Sequence, residues 1–273
     1  MQVIKSRIPV STICLGLLAL MLSASTGCKT VGSADAELLK QGYAALGAHQ
    51  LNQAMSIATD VLSRNPGETV PAEAYYLRGR VYEEYAISQT TNVAANLQNA
   101  RTEYSNAMGL PHRPDLDGRI RAGAANVAFH QDDFVTAQQQ WSAAYEELER
   151  PEDKILTMYQ LGRTSQRLGN WAEADRYLDL VQQSAPDTDL AAKAKLIQGV
   201  RGFTLQVATY SNATQAQNAL SDIRKQGLAA QTITDPQYSS HILLRIANIQ
   251  TYSDAKTMKS RLAASFPNAI IMP

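Results

Sequence analysis

Gln206, His241 and Arg245 are polar side chains set among alternating apolar neighbours, and that spacing aims them the same way. Phe203, Leu205 and Val207 take one side of an extended segment and leave Gln206 on the other. By the same alternation Ile242, Leu244 and Ile246 turn inward and leave His241, Leu243 and Arg245 outward. A primary amide donates and accepts hydrogen bonds, and a guanidinium offers a planar fork to a carboxylate. On an open surface these groups are equipped to hold a polar ligand.

Catalysis has no comparable signature. The four histidines, His49, His112, His130 and His241, lie in separate segments without metal-ligand spacing. No Ser or Cys stands in a nucleophile motif, and no Gly-rich loop suits a phosphate. Asp132-Asp133 falls at a helix turn, where capping accounts for adjacent acids. The expectation is a protein that is not an enzyme and takes no cofactor or metal.

The elements that must position the outward residues are visible as a duplication. Leu205, Val207, Ala208, Tyr210, Ala216, Ala219 and Ile223 recur thirty-nine positions on as Leu244, Ile246, Ala247, Ile249, Ala255, Met258 and Leu262. Each copy is a short strand (Phe203 to Val207; Ile242 to Ile246), a turn, then helical spacing. Gly227 ends the first helix, Ala229 to Thr234 reads as a second strand, Ser253 caps the second helix, and Ala269 to Met272 is a last strand. The order βαββαβ predicts an α+β, ferredoxin- or RNP-like sandwich with both helices on one face and the other face open. RNA-binding folds share that topology, but stacking aromatics are missing from the open face and formal net charge is zero, so no nucleic acid is expected.

At these residues the chain resembles a known family. Leu205-Gln206-Val207-Ala208-Thr209-Tyr210-Ser211 is similar to the first-strand signature of SPOR domains, V-Q-V-G-S-F-S, and Leu244-Arg245-Ile246-Ala247-Asn248-Ile249 to their second, V-x-V-G-P-F. The resemblance covers residues 202 to 272. It implies binding of peptidoglycan glycan strands stripped of stem peptides, found at division septa. By position it implies glycan contacts at Gln206, Thr209, His241, Leu243, Arg245 and Ile270. Gln206 would meet an acetamido group, Thr209 hydroxyls, Arg245 a lactyl carboxylate, and Leu243 and Ile270 sugar faces. Ala208 and Ala247 replace the family glycines, Asn248 its proline, and Leu243 a frequent arginine, for which Arg245 would substitute.

The amino terminus points outside the cytoplasm. Lys5 and Arg7 precede an apolar run, Ile8 to Leu22, and small residues lead to Cys28. This reads as a signal peptide over 1–27, too short for a comfortable membrane span. Ser25-Thr26-Gly27-Cys28 resembles a lipobox, with Ser25 where leucine is usual. Lipid attachment at Cys28 is expected, followed by a linker over 28–34. Lys29 resembles the residue after the cysteine in outer-membrane lipoproteins. Cys28 would be the only cysteine of the mature chain, so no intrachain disulfide is possible.

Residues 35–199 repeat as well. Gly42, Ala54 and Pro66 share their spacing with Gly162, Ala174 and Pro186. Gly79, Tyr82, Ala100, Tyr104 and Ala107 mark a longer unit, and Ala125, Ala137, Trp141 and Ala144 another. This resembles tetratricopeptide (TPR) repeats, in which small residues let paired helices approach. Units are expected at 35–68, 72–112, 118–151 and 155–188, with a capping helix over 188–199 and the SPOR-like domain over 200–273. Such solenoids hold partners in an inner groove, which the resemblance places at Tyr76, Arg80, Asn126, Tyr159 and Arg163. Glu83-Glu84 and Glu146 to Arg150 read as solvated helix faces.

The whole reads as a multi-domain, non-enzymatic envelope lipoprotein. A TPR-like solenoid would scaffold an unknown protein partner, in cell division or wall remodelling, and a SPOR-like domain would bind glycan strands. The alternative is an outer-membrane or secretion assembly factor that works through its repeats, with accessory wall binding.

Overall fold

The computed structural model describes residues 31–64, 67, 69–88, 91–236 and 238–273. The segment expected to be a signal peptide, Cys28 with the lipid attachment expected there, and Pro66 lie outside the described residues. Helices α1 (Val31–Gly47) to α9 stack through the first two thirds of the chain: α2 (Leu51–Ser63), α3 (Val70–Ser88), α4 (Val93–Met108), α5 (Pro114–His130), α6 (Phe134–Glu147), α7 (Pro151–Arg167), α8 (Trp171–Ser184) and α9 (Asp189–Ile197). Proline opens α5 and α7 at a position where its missing N–H is not needed. Each helix packs on the next, and α1 also meets α3, α3 meets α5 and α7 meets α9. This stacking is compatible with helical repeats.

Three of the hairpin turns close identically on unlike residues. His49, Asp132 and Gly169 are left-handed, at φ 59°, 61° and 78°. The next residue in each, Gln50, Asp133 and Asn170, donates its N–H to Ala45, Ala128 and Ser165 at 2.8, 2.9 and 2.8 Å. This is the closure that satisfies the last carbonyls of a helix. Between neighbouring helices glycines admit large side chains, so a Cβ on Gly79 would lie 2.6 Å from the Tyr104 ring and one on Gly162 2.9 Å from Leu178.

Glu83 departs from its expected place on a solvated face. It is 4% exposed, because helical spacing puts it on the buried stripe of Tyr76 and Gly79. There its carboxylate accepts from the Tyr104 hydroxyl at 2.7 Å and from the Asn126 amide. Burial pushes the Glu83 carboxyl above its usual range, opposed by Arg80 and those hydrogen bonds.

The last third is β1 (Phe203–Tyr210), α10 (Ala213–Lys225), β2 (Ala230–Thr234), β3 (Ile242–Ile249), α11 (Tyr252–Leu262) and β4 (Ile270–Met272). The strands form an antiparallel sheet in the order β2-β3-β1-β4. Phe203, Leu205, Val207, Leu244 and Ile246 pack with Leu220, Ile223, Ala255 and Leu262 of the two helices into one core. Gly227 is left-handed after α10, at φ 78°. The cap of α11 is Thr251, which accepts from the Asp254 N–H, and Ser253 lies inside the helix.

The two parts meet through a polar and aromatic junction. The Tyr252 ring packs edge-on to Phe134 at 4.9 Å, and Trp171 meets Phe203 at 5.4 Å. Arg167 lies 4.7 Å from the centre of the Tyr252 ring. Asp132 accepts from the Tyr252 hydroxyl at 2.7 Å and from Lys256 at 2.6 Å. Capping therefore explains only Asp133, which accepts from the Thr136 N–H.

Candidate functional site

One row of side chains crosses all strands on the face away from the helices. Gln231, Arg245, Gln206 and Ile270 are register partners in turn, contributed by β2, β3, β1 and β4. Arg245 donates from Nε at 3.2 Å and Nη2 at 2.9 Å to the Gln206 side-chain oxygen. That fork occupies the amide carbonyl, so Gln206 faces a ligand chiefly as an N–H donor. Arg245 keeps further N–H groups of its own. The pair is thus a cluster of donors, suited to carboxylate or amide oxygens. Ile270 beside it is 57% exposed.

Thr209 joins this face through a bulge. Gln206 pairs with Arg245 but Ala208 with Leu244, so Val207 is the extra residue, and it is buried. Plain alternation would turn Thr209 away from Gln206. The bulge resets the phase, and the two side chains lie 3.5 Å apart. A second register shift, on β3, surrounds Asn248 at φ 60°. Proline, held near about −65°, cannot adopt that angle, so asparagine suits this backbone.

Two expectations for β3 need correction. Leu243, expected as an exposed platform, is 3% exposed, and Ile242, expected inside, is only half-buried. Leu243 occupies a central strand between its register partners Ile233 and Thr209, whose closeness covers it. His241 is half-buried at the β2–β3 turn, its ring 5.4 Å from that of Tyr238, which is 53% exposed. Tyr238 was legible in sequence only as a turn residue. A groove of about 430 Å³ runs between Gln206 to Tyr210 and the segment Ser265 to Asn268, with Ile270 beside them. The α11–β4 segment carried no sequence signal as a wall of the site.

The helical candidates divide. Tyr76, Arg80 and Asn126 line a concavity of about 300 Å³ among α3, α5 and α7, together with Glu83, Arg119 and Trp141. Tyr76 is its buried floor, 4% exposed. Tyr159 and Arg163 lie outside it. The Arg163 guanidinium stacks on Phe129 at 4.8 Å, and burial lowers its pKa. It donates at 3.0 Å to Gln160, which lines the concavity. Among the described residues no cluster of His, Cys, Asp or Glu could hold a metal ion, and no helix is long and apolar enough to cross a membrane.

This open four-stranded face, with its donor row and flanking groove, belongs to a module for ligand binding. The protein-family model for the SPOR domain matches residues 199–273, and that region is a SPOR domain, which implies peptidoglycan binding. No curated protein matches the chain.

Proposed function

We propose that the chain is a non-enzymatic lipoprotein of the cell envelope. Its SPOR domain binds denuded glycan at division septa on the Gln206–Arg245 face, and its TPR-like helices hold a protein partner there. The observation that carries this reading is the in-register row Arg245, Gln206, Ile270 beside the groove. A denuded glycan offers acetamido oxygens and a free lactyl carboxylate, which are acceptors for such donors, and apolar ring faces for Ile270. The apolar leader and Ser25-Thr26-Gly27-Cys28 support export and a lipid anchor in the outer membrane. A lipid anchor and a weak wall ligand together retain a protein that neither holds alone.

The test is a pulldown of the full chain with sacculi before and after amidase treatment. Amidase should increase binding, and Gln206→Ala with Arg245→Ala should abolish the increase. Binding indifferent to both would remove the glycan from this face.

A further inference from the structure

The concavity among α3, α5 and α7 gathers two guanidinium groups and two buried N–H donors that meet no acceptor among the described residues. Arg119 lies 4.8 Å over the Tyr76 ring and 5.4 Å over Tyr43; Glu73 acts on it electrostatically, but no carboxylate of the described residues comes within ion-pair distance. Arg80 donates from Nη1 to the hydroxyl of the same Tyr76 at 3.4 Å and forms long ion pairs with Glu83 at 3.9 Å and Glu84 at 4.0 Å. Two like charges are therefore gathered on one ring. Among the described residues the buried Nε of Arg80 and Nε1 of Trp141 meet no hydrogen-bond acceptor, and Trp141 is only 5% exposed. Unmet buried donors are costly and favour any acceptor that can enter.

The acids lining the concavity are already engaged. Glu83 accepts from Tyr104 and Asn126 and pairs with Arg80 at 3.9 Å, and Asp153 lies 3.8 Å from Arg150. Leu156, also in the lining, is 46% exposed. We propose that this groove seats an acidic segment of a partner protein, with a carboxylate between Arg80 and Arg119, a carbonyl oxygen on Trp141 Nε1, and an apolar side chain on Leu156. The proposal rests on the reading that the helical region holds a protein partner, and it gives that partner a chemistry.

Fluorescence anisotropy of the full chain tests it, with a fluorescein-labelled octapeptide of alternating glutamate and leucine as probe and its glutamine counterpart as control. The glutamate peptide should bind about tenfold more tightly than the control, and Arg119→Gln should remove that preference. Arg119→Lys should keep part of it, which separates loss of charge from loss of fold. Equal binding of both peptides, or a preference unchanged in Arg119→Gln, overturns the proposal. Sacculus pulldown of the same Arg119→Gln chain should be unaltered, so failure of the groove and failure of the glycan face are read separately.

Discussion

The hydroxyl of Tyr252 donates to the carboxylate of Asp132 over 2.7 Å, joining the first residue of α11 to the turn between α5 and α6. Lys256 reaches the same carboxylate, but it is half exposed, and such pairs contribute little. The tyrosine bond is sheltered by Phe134 and Phe203, which pack around the ring. Tyr252→Phe should cost about 1–2 kcal/mol at the junction. Thermal unfolding should then separate into two transitions, with faster proteolysis near Gly199 to Gly202.

Arg245→Lys keeps a charge on the open face but loses the fork that holds the Gln206 carbonyl. Sacculus affinity should fall about tenfold, ~1.4 kcal/mol, with the melting temperature nearly unchanged. Equal affinity would show that charge alone serves there.

Tyr104 is clamped between Gly79 and Gly123, and its ring is 1% exposed. Alanine at Gly123 would gain about 1 kcal/mol of helix propensity. Its Cβ would nevertheless enter a ring that cannot move aside, and overpacking of this kind costs about 1–3 kcal/mol. The expected outcome of Gly123→Ala in urea titration is a net loss of stability.

His112 faces acceptors with both ring nitrogens, Leu110 O at 2.5 Å from Nδ1 and Asp117 at 2.8 Å from Nε2. The hydrogen bond to Asp117 chiefly raises its pKa above the usual value, with the Leu110 carbonyl adding to it and desolvation opposing. A raised folded pKa means that this stabilisation is full below the unfolded value of about 6.5 and fades as pH rises through the folded value. The melting-temperature gap between wild type and His112→Asn should therefore be widest in mild acid and close in alkali. The site is partly solvated, so the gap should correspond to under about 1 kcal/mol.

The sheet was legible because its apolar positions recur in the two strands, and Gln206 and Arg245 followed from period two. Thr209 did not, since alternation points it the wrong way and only the bulge at Val207 corrects it. Leu243 was misplaced because alternation assigns a face and says nothing of how closely neighbours cover it. Glu83 was misread as a charge in a run, when its helical phase set it beside Tyr76 and Gly79. The junction left no trace: a left-handed aspartate and a tyrosine 120 residues apart declare nothing until the chain brings them together.

Asp132 stands where two demands disagree. Its left-handed turn matches that of Gly169, and glycine there would relax the backbone. The carboxylate it would lose is the one that Tyr252 and Lys256 hold. Asp132→Gly should leave the α5–α6 hairpin no less stable while proteases cut the link to the SPOR domain more readily. Drift at a single codon thus leads from a braced pair of modules to a tethered pair, with neither the open sheet face nor the helical concavity altered.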